Sequence, residues 1–155
     1  MHSEIRKKLR LVKSLHQMSI KDKWIVAKAT LLSALFRFLV LFIPFRKLAE
    51  KMGTLMMESA ETISEKHTAI ARRITGIVLR VSRNTPWESK CLIQALTAQF
   101  LLKDESIPST LYLGIAKAEG KLIAHAWLRS GADILIGGAV KDDFKCIAYF
   151  GVLPQ

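Results

Sequence analysis

Apolar residues recur at intervals of three and four through the first half of the chain, with polar residues between them. Leu9, Val12 and Leu15 follow this spacing, and neither proline nor glycine occurs before Pro44. This periodicity is typical of amphipathic α-helices. The pattern predicts helices over residues 3–16, 20–42, 45–57 and 60–80.

The period changes in the second half. Thr85, Pro86 and Glu88 fit a capping box, with Thr85 as N-cap, Pro86 at N1 and Glu88 at N3, and predict a helix that ends at about Lys103. After it come short β-rich runs separated by turn residues. They cover residues 110–118, 121–129, 133–137 and 144–150. A helix packed on an antiparallel meander, hence an α+β fold, is the expected outcome.

The positive charge lies in the N-terminal half. The net charge is +11, and residues 1–83 hold 17 Lys and Arg against 6 Asp and Glu, whereas residues 84–155 hold 7 of each. We therefore divide the chain into a basic, apolar helical lobe (1–83) and a second domain (84–155). Such an imbalance indicates a surface for an anionic partner, such as nucleic acid, anionic lipid or an acidic peptide.

The segment from Trp24 to Phe45 is apolar nearly all round, as a membrane span would be. Lys28 and Arg37 interrupt it, and its longest uncharged runs are eight residues. A charge near the centre of a spanning helix costs about 2.5–3.5 kcal/mol. We therefore favour a buried or interfacial helix over a span. No secretory signal is recognisable, and a cytoplasmic protein with peripheral membrane contact is expected.

Several classes of function are unsupported. The chain contains no G-x-G-x-x-G, P-loop or EF-hand spacing. Its two cysteines, Cys91 and Cys146, are too few for a disulfide framework, and His2, His16 and His67 show no metal-ligand spacing. We expect neither a metal nor a cofactor.

One cysteine and one histidine are candidates for chemistry. Cys91 falls in the early turns of the predicted helix, where the helix dipole supports a thiolate. His125 falls in a strand, on the same face as Ile123 and Trp127 by period two. Taken singly, Cys91 reads as a small buried side chain and His125 as a structural histidine. Together they suggest the nucleophile and base of a cysteine enzyme.

The second half of the chain resembles the lasso-peptide maturation proteases, a family similar to the transglutaminase and papain-like cysteine enzymes. The resemblance covers residues 84–155. The matching residues are Trp87, Cys91-Leu92, Ala95-Leu96, Leu101-Leu102, Ile107-Pro108, Leu113-Gly114 and His125-Ala126-Trp127-Leu128. It implies a transglutaminase/papain-like domain in which Cys91 and His125 are catalytic. Trp127 and Trp87 are interpreted as core or pocket-lining aromatics, and they are also candidates for substrate contact.

The resemblance also implies a biological role. It implies a cytoplasmic leader peptidase of the short, split form, which removes the leader of a lasso-peptide precursor. A separate leader-recognition protein presents the leader, a macrolactam-forming cyclase acts afterwards, and no nucleic acid is involved. Two alternatives stay open: another acyl-transfer enzyme on the same scaffold, or a non-catalytic adaptor that binds a membrane surface or a peptide.

Members of this family often have a third catalytic residue, an Asp about twelve residues after the histidine. The sequence departs from the family at this position. That position is Gly137 here. A three-residue loop over 130–132 would place residue 137 directly opposite His125. Asp133 would lie about 10–13 Å along the ladder from that position. Asp133, Asp142 and Asp143 remain candidates, as does a backbone carbonyl or water that holds the ring.

Overall fold

A computed structural model describes residues 17–153, and the predicted helix over 3–16 lies outside this range. The first described helix, α1, spans Ile20–Phe42 and confirms the predicted bounds. Ser19 caps it, because its side chain accepts a hydrogen bond from the Asp22 backbone N–H. By length and composition alone α1 could cross a membrane, and 17% of its most apolar window is buried.

The next helices are shorter than predicted. Helix α2 spans Phe45–Ala49 rather than 45–57, and a short strand, β1, follows at Thr54–Leu55. Helix α3 spans Glu65–Ser82 rather than 60–80. Between α2 and β1 the chain turns at Gly53, where φ is 122°, a conformation that glycine adopts readily and other residues rarely do.

The capping box over residues 85–88 is a wrong prediction. Helix α4 spans Cys91–Asp104, with Lys90 as N-cap. The C-terminal turn of α3 holds Thr85 instead, because its backbone N–H donates to the Val81 carbonyl and its hydroxyl to the Ser82 carbonyl. The hydroxyl is thus engaged with backbone before α4 begins.

The remaining chain forms most of a five-stranded antiparallel sheet. Its strands are β2 (Ser109–Ala118), β3 (Lys121–Ser130), β4 (Asp133–Ile136) and β5 (Lys145–Val152), with a 3₁₀ helix at Gly138–Asp143. The sheet order is β1-β5-β2-β3-β4. The predicted meander is therefore correct for β2 to β4 and wrong for β5, which pairs with β2 after the 3₁₀ helix.

The sheet has an apolar face and an aromatic face. Leu111, Leu128 and Phe150 are neighbours across three strands, and all three are buried in the core that includes α4. We call this the inner face. Side chains alternate along a strand, so Tyr112 and Trp127 lie on the opposite side, the outer face. Helices on one side of an antiparallel sheet confirm the α+β class.

The N-terminal helices pack against α4 in the same core. Ala29 and Phe36 of α1 are buried in one cluster with Ile74 of α3 and Leu96 of α4. Ion pairs join these helices at the surface: Lys28 with Asp104 at 2.9 Å, and Arg73 with Asp22 at 2.6 Å. The division into 1–83 and 84–155 stays a prediction, and the core crosses that boundary.

Candidate active site

Cys91 is the first residue of α4, whereas the predicted N-cap at Thr85 placed it six positions after the cap. Its thiol is free and half-buried. Lys90, the N-cap, provides no side-chain hydrogen bond to the helix. The first N–H groups of a helix have no intrahelical partner, so they can serve an anion or a developing oxyanion. The new helix start therefore places Cys91 closer to the positive end of the dipole than the sequence indicated.

His125 lies in β3 opposite Gly114, and its ring is held by the backbone. Its Nε2 atom is 2.8 Å from the Gly137 carbonyl oxygen. A carbonyl oxygen only accepts hydrogen bonds, so Nε2 is the protonated nitrogen. In the neutral ring Nδ1 then carries the lone pair and is the nitrogen able to accept a proton.

Gly137 occupies a position that only glycine fits. Its φ is 72°, and a Cβ atom there would collide with the Ala126 carbonyl oxygen and lie 3.1 Å from the His125 Nε2 atom. An aspartate at this position would meet the same obstruction. The glycine that replaces the usual aspartate of the lasso-peptide proteases is therefore required by the local backbone conformation. That conformation places the Gly137 carbonyl against the imidazole.

The predicted register of the β3–β4 hairpin is wrong by a small shift. Ser130 pairs with Asp133, so the loop has two residues and not three. A bulge then shifts the register, and Leu128 pairs with Ile136. Residue 137 nevertheless lies beside His125, as expected, because the chain leaves the ladder in a left-handed turn at Gly137 and its carbonyl oxygen reaches the ring.

Two of the three carboxylates considered for the third role, Asp133 and Asp142, bind elsewhere. Asp133 accepts a hydrogen bond from Arg72 Nε at 2.7 Å, and this bond holds the pKa of Asp133 below its ordinary value. Asp142 pairs with its neighbour Lys141, and 88% of its side chain is exposed. In the described part of the chain, the hydrogen bond shown for the His125 ring is the one to Gly137.

Aromatic rings surround His125 on the outer face. The ring centroids of His125 and Phe144 are 5.0 Å apart, and those of His125 and Trp127 are 6.2 Å apart. Trp127 stacks on Tyr112 with centroids 5.5 Å apart and planes 3° from parallel. Tyr112 and Phe144 were not among the predicted site residues. Strand alternation with the β2–β3 register would have found Tyr112. Phe144 could not be found in this way, because it directly follows the 3₁₀ helix and its position depends on the path of that helix.

A polar network fixes the far end of this aromatic row. The Tyr112 hydroxyl donates to Glu58 Oε1 at 2.7 Å and accepts from Arg129 Nε at 2.9 Å. Arg129 also donates to the Ser59 and Gly131 carbonyls, so the loop before α3 is tied to the outer face. Burial raises the pKa of Tyr112, so the phenol stays protonated. This network was not predicted.

Trp87 packs among the helices and not with the aromatic residues of the outer face. It lines an apolar cavity of about 200 Å³ together with Val26 of α1 and Ile77 and Val81 of α3. Its Nε1 atom is buried without a hydrogen-bond partner. Trp87 and Trp127, the two predicted pocket aromatics, therefore belong to separate regions of the protein, one among the helices and one on the sheet.

Cys91 and His125 are not joined in this conformation. Helix α4 packs on the inner face, whereas His125 shares the outer face with Trp127. Within residues 17–153 no hydrogen bond links the thiol to the ring. The thiol in register with His125 is Cys146, since Gly114 pairs with both residues. Cys146 is exposed as a residue, its Sγ donates to the Ala148 carbonyl at 3.6 Å, and partial desolvation of the sulfur raises the pKa of the thiol.

No cluster of three or more His, Cys, Asp or Glu side chains suited to a metal ion occurs among residues 17–153. The candidate groups are a thiol at a helix start and, on the sheet, an oriented imidazole. A thiol and an imidazole are the groups that nucleophilic acyl chemistry uses when they meet.

Comparison with known proteins identifies the fold family. No curated protein and no solved structure gives a significant match. The family model that matches is that of the transglutaminase-like superfamily, and it covers residues 33–148, which include both α4 and the His125 strand. Because the match extends over most of the sequence and over the helices as well as the sheet, the chain belongs to the transglutaminase-like superfamily.

Proposed function

We propose that this protein is a cytoplasmic cysteine peptidase that removes the leader from a lasso-peptide precursor, with Cys91 as nucleophile and His125 as base. The observation that carries the proposal is the hydrogen bond from His125 Nε2 to the Gly137 carbonyl. It orients the imidazole from residue 137, where the related proteases often have a carboxylate. It also leaves Nδ1 as the basic nitrogen, the requirement for a general base.

The chemistry follows from these groups. The Cys91 sulfur attacks the carbonyl carbon of the scissile peptide bond while His125 Nδ1 takes the thiol proton. The imidazolium returns that proton to the leaving amine, and a thioester joins Cys91 to the leader. Water then attacks the thioester, with His125 again as base, and releases the leader acid and the thiol. N–H groups at the start of α4 can stabilise the oxyanion of both tetrahedral intermediates.

The proposal requires Cys91 and His125 to meet in the complex with substrate. Catalytic hydrogen bonds often form only when substrate is bound. The segment that must adjust is the irregular stretch between α3 and α4, over residues 83–90. Its contacts with the helices include the ion pair of Arg37 with Glu88 at 3.7 Å and the hydrogen bond from the Ser89 hydroxyl to the Ser82 hydroxyl at 3.1 Å, and these contacts would have to rearrange. We propose that the leader and its recognition protein bring the helix start to the imidazole.

The experiment compares two thiols. Purified protein is incubated with a precursor peptide and the recognition protein encoded beside it, and the fragments are identified by mass spectrometry. Cys91→Ala should reduce cleavage to background, and His125→Ala should do nearly the same. Cys146→Ala is the matched control, because this thiol is in register with His125, and it should keep most of the activity.

Three outcomes would contradict the assignment. Cleavage above one tenth of wild type in folded Cys91→Ala protein would exclude covalent catalysis by Cys91. Loss of cleavage in Cys146→Ala but not in Cys91→Ala would move the nucleophile to β5. A product carrying an added amine in place of a free carboxylate would favour another acyl transfer over hydrolysis, the second reaction that the superfamily supports.

A further inference from the structure

Helix α1 carries a continuous apolar stripe on the side that faces solvent. At 3.6 residues per turn its members fall within an arc of about 60°, and the stripe is about 33 Å long. They are strongly exposed, with Leu31 at 72% and Phe38 at 55%. The stripe consists of Ile20, Trp24, Leu31, Leu35, Phe38 and Phe42. An apolar surface of this length on a protein normally marks a binding site.

The opposite side of α1 is fixed to the protein body. Ala29, Ser33 and Phe36 are buried against the other helices. The flanks of α1 are tied by ion pairs to three elements: α3, α4 and the loop before α4. If α1 crossed a membrane, it would have to leave this core and break these pairs. Its place in the fold therefore favours a helix that stays on the body and exposes the stripe alone.

Cations stand at both ends of the stripe. Lys21 and Lys23 are exposed at its start, and Arg46 and Lys47 are exposed just after its end. Asp22, the acid at the start, is bonded to Arg73 and faces away from the stripe. Beyond Phe42 the exposed Phe45 extends the apolar surface toward the second pair of cations. This combination of an apolar ridge, terminal aromatics and flanking basic residues is the pattern of a helix at a lipid interface.

We propose that the α1 stripe docks the protein on an anionic membrane surface, with α1 parallel to the bilayer plane. The stripe is a convex ridge on one helix, and a fluid bilayer can adapt to it without a preformed groove. The cations at its two ends match anionic headgroups, which lie at the depth where such side chains reach. The docking is independent of the peptidase reaction proposed above.

The test measures binding to vesicles of phosphatidylcholine alone and of phosphatidylcholine with phosphatidylglycerol. We expect binding to the anionic vesicles that weakens with salt, together with a blue shift of the Trp24 emission that Trp24→Phe removes. The paired substitution Leu31→Gln and Phe38→Gln should lower the partition coefficient by about tenfold or more. Leu122→Gln with Ile147→Gln is the control, because these β-sheet side chains have the same exposures, 72% and 55%.

Other occupants of the stripe would give different results. A dimer in light scattering that Leu31→Gln abolishes, without vesicle binding, would overturn the proposal in favour of a second copy. Stripe-dependent binding to the recognition protein but not to vesicles would overturn it in favour of a protein partner. Resistance to carbonate extraction with protease-accessible sites on both sides of the membrane would show a span. If Leu122→Gln with Ile147→Gln lowered vesicle binding as much as the stripe substitutions do, that result would also contradict the proposal.

Discussion

Gly137→Ala is the substitution that tests the backbone contact to His125 most directly. The left-handed conformation at residue 137 costs a non-glycine residue about 1–2 kcal/mol. The new Cβ would also collide with the Ala126 carbonyl, so the Gly137 carbonyl must move away from the ring. Loss of that hydrogen bond adds about 1 kcal/mol. We expect the free energy of unfolding to fall by about 2–3 kcal/mol in all.

Gly120→Ala provides the matched control. Gly120 has a φ of 78°, close to the 72° of Gly137, but nothing lies within 4 Å of a Cβ built there. The control therefore carries the conformational cost without the collision and without the histidine contact. Urea unfolding should show a smaller loss for Gly120→Ala, by about 1 kcal/mol or more.

A second measurement separates positioning of the ring from stability. Nitrogen NMR of His125 should show the Nε2-protonated tautomer in the wild type and in Gly120→Ala, and a mixture of tautomers in Gly137→Ala. Leader cleavage should fall through kcat rather than KM in Gly137→Ala. Equal stability losses for the two variants, or an unchanged tautomer in Gly137→Ala, would refute the role assigned to the carbonyl.

Three further predictions concern the scaffold. The hydrogen bond from Arg73 lowers the pKa of Asp22 below its ordinary 3.8. The stabilisation that this bond gives the fold is therefore complete above pH 3.8 and is lost as the pH falls through the folded-state pKa. Thermal unfolding from pH 7 to pH 2 should show a smaller acid-induced loss of stability in Asp22→Asn than in the wild type. Leu128→Ala should cost about 2–5 kcal/mol in urea unfolding and Leu122→Ala under about 0.5, because their exposures are 0% and 72%. Ser64→Ala should cost about 1 kcal/mol as a lost cap, and Thr85→Ala should cost less because α4 begins elsewhere; equal losses would contradict the helix starts.

The sequence predicted the regular elements better than the connections between them. Periodicity gave α1 to the residue and strands β2 to β5 to within two, because side-chain burial sets both periods, but it missed β1, which lies inside a predicted helix. The capping box failed because Thr85 has two possible roles, and the preceding helix end takes its hydroxyl. A pattern of four residues cannot show that a carbonyl at the end of the preceding helix will bind the same hydroxyl.

The candidate site shows the same limit more sharply. That residue 137 lies beside His125 was predicted from a hairpin, and it holds although the loop has two residues and not three. The bulge moves the register one residue further from the predicted one, so the contact depends on the left-handed turn at Gly137, a backbone geometry that no residue pattern announces. The sequence did separate His125 and Trp127 from the Ala126 and Leu128 face, but it did not say which face α4 would cover.

A carbonyl in place of a carboxylate changes how the imidazole is supported. Both groups accept a hydrogen bond from Nε2 and so fix the tautomer, but the Gly137 carbonyl has no net charge and stabilises an imidazolium less than a carboxylate would. Much of the stabilisation of charge in the proposed reaction must then come from the start of α4, where Cys91 itself lies. The nucleophile becomes effective only when this helix start reaches His125. An enzyme built in this way would be nearly inactive without the recognition protein and would act when a bound leader assembles the pair, so the rate of leader cleavage should depend steeply on the concentration of the recognition protein.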